Sequence, residues 1–376
     1  MDSNDSGRTA RSPSLSRRQS LKKIAVLGAA TSTPLLAGCT GNGGNGSGNG
    51  GNGGNGGSDG TESGSQDGSS GGSNEELDIT LASTYEEGHI NVQAAKMFRD
   101  RIEDESDGAI TVEVASGGSY GSEAEITDLA SQNVVGMHSG AGVPFSMYAP
   151  EYYIIDMPFV MEDADHLFEV VESEKFAPAY DLLIEEGNQR QLGGRFYRGQ
   201  RYFTANESVS HPDDVQGMQF RSPPLEPWVQ IWSEIGVEPT SVALDELFSA
   251  LQQGVVDAAE GDIEQIHSFN YPEVQDYLSA TRHAPFSGAM YMNESLYQSL
   301  SESHQTLVNE VAAEVAEEAN EMGMQREQEL IDDLVDQGMT LVEDVDRQAF
   351  RDRARPAVNA LFEDRWAGTW EEWRNV

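Results

Sequence analysis

The sequence predicts an α/β fold in two lobes, and three observations predict it. From Leu77 onward, short β-type runs alternate with amphipathic helical runs. The crossovers between successive strands are long enough to hold a helix, which argues a mainly parallel sheet. A second α/β block begins near Gly193, and about 300 residues of patterned chain suffice for two cores.

The N-terminal stretch stands apart from the fold. Ser16-Arg17-Arg18-Gln19-Ser20-Leu21-Lys22 resembles a twin-arginine export motif, with Ser20 where a Phe is usual. The apolar run 24–38 that follows is too short for a stable membrane span. It ends in Leu36-Ala37-Gly38-Cys39, which resembles a lipobox. Cys39 is the single cysteine, so no internal disulfide can form, and its place marks it as a lipidation site. Residues 1–38 are thus expected to be a signal peptide and residues 39–76 a tether. Positions 40–74 are almost wholly Gly, Asn, Ser and Asp, without a residue to nucleate a core. Such a chain has an r.m.s. reach of about 30–35 Å.

The folded part starts with a strand over 77–83. A helix over 89–108 follows and ends at Gly108. A second strand spans 109–115. Ser122 and Glu125 form a capping-box pair before the next helix. A third short strand covers 134–140. Ligands of parallel α/β sheets sit beyond the carboxyl ends of the strands, which points to the loops at 84–89, 116–122 and 138–144. In the second block, "GGRFYRGQRYFTAN" and "HPDDVQGMQFRSP" each carry a strand and a turn. "PLEPWVQIWSEIG" is a helix with Pro near its start and Gly236 at its end. "DELFSALQQG" is another helix, and "VVDAAEGD" is a strand leading into a loop. Residues 302–337 form one long helical pattern, about 50 Å at 1.5 Å per residue. It suits either a coiled-coil segment or a helix running across both lobes, with Gly323 able to bend it. The tryptophan-rich tail is expected to pack as a core helix.

Charge excludes some functions. The formal net charge is −41, and Lys96 and Lys175 are the only lysines after residue 38. A surface this acidic is no nucleic-acid binder. The bias is like that of halophilic proteins. In molar salt the Debye length falls to about 3 Å, so a local arginine could dominate its own site. Against this background Arg221, in "GMQFRSPP" (217–224), stands at the end of a short apolar strand. Guanidinium is permanently charged and its planar fork fits a carboxylate bidentately.

Five stretches in order resemble the solute-binding proteins of TRAP transporters, the DctP-type family. They are "GSYGSEAEITDLASQNVVGM", "YAPEYYIIDMPFVMEDADHLFEVVES", "GQRYFTANESVSHPDDVQGMQFRSP", "IGVEPTSVALDELFSALQQGVVDAAE" and "EVQDYLSATRHA". The likeness covers nearly all of 77–340, and the N-terminus and acidic bias suggest a haloarchaeal member. It implies a two-lobed periplasmic-binding-protein-like fold with a long helix spanning both lobes. Lobe I would be 77–198 plus 287–326, and lobe II 199–286 plus 327–376. It implies a receptor, not an enzyme, without cofactor or metal. The receptor would be held at the outer face of the cytoplasmic membrane and would pass a small organic acid to membrane permease subunits driven by an ion gradient.

By the same resemblance Arg221 grips the ligand carboxylate, buttressed by Glu260 and His283. Arg201 matches a second arginine at the carboxylate, and Thr204 and Asn206 share its motif. Arg198 lies nearby without a counterpart. The family often has Asn and Pro after the glutamate where this chain has Gly261 and Asp262, and Gly136 replaces a usual Asp. Asp262 could accept hydrogen bonds from ligand hydroxyls. C4-dicarboxylates, 2-oxo acids, sugar acids and lactate-like acids all fit, and Asp262 leans toward a hydroxylated one. Tyr85, Glu86, His138, Ser139 and Trp228 are further candidates for the cleft wall.

Two rival readings exist. An ABC-type binding lipoprotein would share the binding chemistry and differ in its partner. "GGSYG" (117–121) satisfies G-x-S-x-G, the signature of a serine hydrolase. Ser119, however, lies several residues past the strand, and no motif names its acid and base. No zinc pattern appears, and an EF-hand register starting at Glu103 fails at Val114.

Overall fold

One strand of 17 residues and one helix of 35 organise the molecule. The structure is a computed structural model that describes residues 76–376. The twin-arginine stretch, Cys39 and nearly all of the proposed tether lie outside the described residues.

Strand β1 (Leu77–Ala82) leads into α1 (Ile90–Glu105). His89 caps that helix, its ring Nδ1 accepting from the Asn91 N–H. β2 (Ile110–Ala115) runs parallel to β1, with Leu77 opposite Ile110. The Ser122–Glu125 capping box opens α2 (Glu123–Ser131) as predicted. β3 (Met137–Gly140) flanks β1 on its other side. Three short helices follow: α3 (Val143–Tyr148), α4 (Ala164–Glu172) and α5 (Ala177–Glu185). β4 (Gln189–Ala205) then crosses the whole molecule. Beyond it come β5 (Gln219–Ser222), α6 (Glu226–Ile235), β6 (Glu238–Ser241), α7 (Leu247–Gln252), β7 (Ala258–Asp262) and α8 (Ile263–Ser268). The chain continues through β8 (Tyr277–Ser279), β9 (Pro285–Asn293), α9 (Glu294–Ser299) and α10 (Glu302–Asp336). It ends with β10 (Thr340–Val342), α11 (Arg347–Asp364) and α12 (Trp370–Arg374).

The strands follow the order β2-β1-β3-β9-β4-β7-β5-β6, with β8 on β4 and β10 on β8. The sheet is mixed rather than mainly parallel. β4 is antiparallel to β7, β8 and β9, and β3 is antiparallel to β9. The reason is topological. β4 runs through both halves, antiparallel to β9 in the first and to β7 and β8 in the second. β4 pairs with β9 from Gln189 to Gln200 and with β7 from Arg201 onward.

α10 rests on both halves. Val308, Val311, Val315 and Ala319 pack in one core with α1, β1 and β3, whereas Leu330, Ile331 and Leu334 pack in another with α7, α8 and β8. The helix that runs across both halves is therefore the one observed. Gly323 allows α10 and β4 to approach closely, because a Cβ there would run into the Tyr197 carbonyl oxygen of β4. α6 ends where Gly236 takes the left-handed conformation, φ 116°. The tail packs as expected. Trp366, Trp370 and Trp373 are buried against residues of the 145–183 segment. Among the described residues no helix is long and apolar enough to cross a membrane.

Candidate functional site

Pairing between β4 and β7 builds the site. Arg201 stands opposite Asp262, and Phe203 opposite Glu260. Alternation puts Arg201, Phe203, Glu260 and Asp262 on one face of the ladder. Arg201 therefore meets Glu260 diagonally and grips it with two guanidinium nitrogens, Nη2 donating to Oε1 at 2.8 Å and Nε to Oε2. His283 Nε2 lies 3.2 Å from the same Oε2, and its Nδ1 lies 2.9 Å from Thr281 Oγ1. The carboxylate assigns the ring proton to Nε2, so Nδ1 accepts from Thr281. Burial would raise the Glu260 carboxyl, but Arg201 and the His283 hydrogen bond hold it at about 2. Burial pushes His283 below the ordinary imidazole range.

Glu260 and His283 thus brace Arg201, not Arg221 as the resemblance implied. Register explains the difference. Phe220 stacks on Phe203 in the core, at 5.3 Å between ring centroids. Its neighbour on β5, Arg221, then projects the other way. Arg221 is 4% exposed and donates Nε to the Val242 carbonyl at 3.0 Å. Among the described residues no carboxylate lies within 4.0 Å of it. Burial, offset in part by Tyr271 and Glu260, holds it below the ordinary arginine range.

A third arginine, Arg198, to which the resemblance gives no counterpart, stands at the centre of the site. It is 3% exposed. Nη1 donates to the Tyr85 hydroxyl at 2.9 Å and Nη2 to Asp262 Oδ2 at 2.8 Å. It thereby ties the loop after β1 to the start of α8. Tyr85 stacks on His89 with centroids 4.0 Å apart, and its hydroxyl donates to Glu123 at 3.0 Å. Glu123 also accepts from the Ala141 N–H, and burial raises its carboxyl. The available signal was density. Arg195, Arg198 and Arg201 fall within one predicted strand of a chain that has few basic residues.

The remaining candidates divide. Asp262 is fully buried. Its Oδ1 caps α8 by accepting from the Gln265 N–H at 2.9 Å, while Oδ2 takes Arg198, so its first partners are the protein's own. Trp228 is buried beside Arg201, whose guanidinium carbon lies 5.2 Å from the ring, and it forms a wall with Phe286. Glu86 is exposed at the loop after β1. Three candidates are placed away from the arginines or inside the core. Asn206 is exposed and pins a turn, bonding the Val274 carbonyl and the Asp276 N–H. His138 is buried in β3, bonded to Gln189 and stacked on Tyr291. Ser139 donates to the Asn91 carbonyl. Alternation along β3 and its pairing with β9 turn these side chains into packing.

Two halves of a sheet meet at buried guanidinium groups, and among the described side chains no carboxylate lies within 4.0 Å of Arg221. Residues 81–365 match the family DctP, bacterial extracellular solute-binding protein, family 7, and the chain belongs to that family. A solute-binding protein of Roseobacter denitrificans is 31% identical over 286 residues, covering 76% of this chain and 87% of the relative. The crystal structure of a TRAP periplasmic solute-binding protein from Roseobacter denitrificans, with bound L-galactonate, superposes with a TM-score of 0.71 at 30% identity. It covers 80% of this chain and 97% of that one. A TRAP periplasmic solute-binding protein from Pseudomonas putida F1, with bound D-glucuronate, has a TM-score of 0.73 at 24% identity. It covers 80% of this chain and 97% of that one.

Proposed function

We propose that the chain is the extracytoplasmic receptor of a TRAP transporter for a hydroxylated organic acid, held by Arg221. One observation carries this reading. Arg221 is buried and, among the described side chains, no hydrogen bond engages its two Nη groups, while Arg198 and Arg201 already hold Asp262 and Glu260. A buried, unpaired guanidinium is costly unless a carboxylate arrives to meet it. Arg201 would lend a second positive charge. Trp228 and Phe286 would cover the carbon chain, and Tyr85, Glu123 and Asp262 would face hydroxyls. The ligands of the Roseobacter and Pseudomonas proteins, L-galactonate and D-glucuronate, are hydroxylated acids and support the choice.

Two lobes, 77–198 plus 287–326 and 199–286 plus 327–376, would close on the acid and present it to an ion-coupled permease. The protein acts by capture and delivery rather than catalysis. Export by the twin-arginine route, a lipid on Cys39 and the Gly-rich tether would keep it at the outer membrane face. The acidic surface would suit molar salt. Replacing Cys39 by Ser should shift the protein from the membrane to the soluble fraction; unchanged fractionation would sink the anchor.

The central test is a thermal-shift and titration series with galactonate, glucuronate, malate, pyruvate and lactate. A cognate acid at 100 times its dissociation constant should stabilise the wild type by about 2.7 kcal/mol. Arg221→Ala should lose that effect. Stabilisation that survives the substitution, or no stabilisation by any acid, overturns the clamp.

A further inference from the structure

The acid excess provides a way to find anion sites. Nearly every arginine that reaches solvent in the described residues has a carboxylate within 4.0 Å: Arg99, Arg101, Arg190, Arg326, Arg351, Arg353, Arg355, Arg365 and Arg374. Arg282 and Arg347 are exposed and have none. Both line the same groove. It lies on the face of β4 away from Arg201, where the next residue, Tyr202, projects.

Two adjoining cavities of about 340 and 350 Å³ form this groove and share Asp163, Arg282 and Arg347. Arg282 donates Nε to the Tyr202 hydroxyl at 3.3 Å. Arg347, the first residue of α11, donates to the carbonyls of Thr281 at 3.2 Å, Arg282 at 3.0 Å and Glu162 at 3.2 Å. These bonds fix both side chains and leave N–H groups of each without a partner. The nearby carboxylates attract the two arginines through space but take their hydrogen bonds from other groups. Asp163 caps α4 through the His166 N–H at 2.9 Å. Glu162 is held by Arg351 and Arg374. Glu327 accepts from the Tyr197 hydroxyl at 2.6 Å, the Gln200 N–H at 3.1 Å and the Tyr202 hydroxyl at 3.3 Å. Burial, and then the charge of Arg282, hold Arg347 below the ordinary arginine range.

We propose that this groove is a second anion site, where Arg282 and Arg347 together bind a small oxyanion such as sulfate, phosphate or a free carboxylate. Two fixed, mutually repelling guanidinium groups gain most from a shared anion, through charge-assisted hydrogen bonds to both. The site is distinct from the Arg221 clamp, because none of Arg198, Arg201 and Arg221 lines the groove.

The test titrates the full chain with sodium sulfate and sodium phosphate at fixed ionic strength. Wild type should bind saturably, and Arg221→Ala should bind equally well. The Arg282→Gln/Arg347→Gln variant should bind about tenfold more weakly or worse, as expected when charge-assisted bonds are lost. No saturable binding by wild type, or binding lost in Arg221→Ala and kept in the double variant, overturns the proposal. Wild-type crystals soaked in selenate keep it testable should the double variant fail to fold. An anomalous peak between Arg282 and Arg347 supports it; a peak only in the cleft, or none, refutes it.

Discussion

Glu260→Gln isolates the charge that holds the arginine cluster together. The substitution keeps the side chain's shape and removes its negative charge. Arg201 would keep one neutral acceptor in place of two charged oxygens. It would also lie beside Arg198 and Arg221 with less counter-charge, since Arg201 feels Arg198 and is felt by Arg221. Two estimates of the cost agree. The drop of the Glu260 pKa from 4.5 to about 2 corresponds to about 3 kcal/mol. Removing one partner of a buried ion pair costs roughly 3–5 kcal/mol. Urea unfolding of ligand-free wild type and variant at pH 7 should therefore differ by about 3 kcal/mol. The difference must depend on pH. The carboxyl titrates near 4.5 in the unfolded chain and near 2 in the native one, so its contribution is complete above 4.5 and fades as pH falls toward 2. By pH 3 less than roughly half should remain. A difference under about 1 kcal/mol at pH 7, or one that is the same at pH 3, refutes the bidentate pair as the cluster's anchor.

Three other outcomes follow from the packing. Gly323→Ala should destabilise by roughly 2 kcal/mol despite a helix-propensity gain of about 1, because the new Cβ would meet the Tyr197 carbonyl, a strand backbone atom that cannot step aside; a variant with a higher urea midpoint contradicts that close approach. Burial lowers His138 to about 4, so wild type should lose up to about 3 kcal/mol as pH falls from 7 to 4, and His138→Gln should show a flatter pH profile; equal slopes count against it. Arg198→Gln should release the loop at 84–89 from Asp262, seen as faster amide exchange there and a stability loss of roughly 3–5 kcal/mol; unchanged exchange would mean that Arg198 is no tie.

Legibility followed the range of the interaction. The capping box at Ser122, the Gly236 end of α6 and the long pattern of α10 were readable because each acts within a turn or two of chain. β4 was seen only in part. Gly193, Gly194 and Gly199 interrupt its apolar pattern, and the strand continues through two register shifts against β9. The short helices between 143 and 185 leave a mixed apolar run that periodicity does not separate. Strand direction is not legible in the sequence, because nothing local distinguishes a parallel from an antiparallel partner.

The same boundary runs through the site. The family resemblance pointed to Arg221, Arg201, Glu260 and His283 as a group and to a carboxylate as ligand chemistry, and the acidic composition excluded nucleic acid, since motif and charge are carried by order and composition. Who pairs with whom was settled by register. A slip of one residue along β4 or β7 would turn every side chain to the other face, and that alignment depends on contacts between residues some 60 positions apart. Folding gave Glu260 to Arg201, gave Asp262 to Arg198, and left Arg221 without a carboxylate within 4.0 Å among the described side chains.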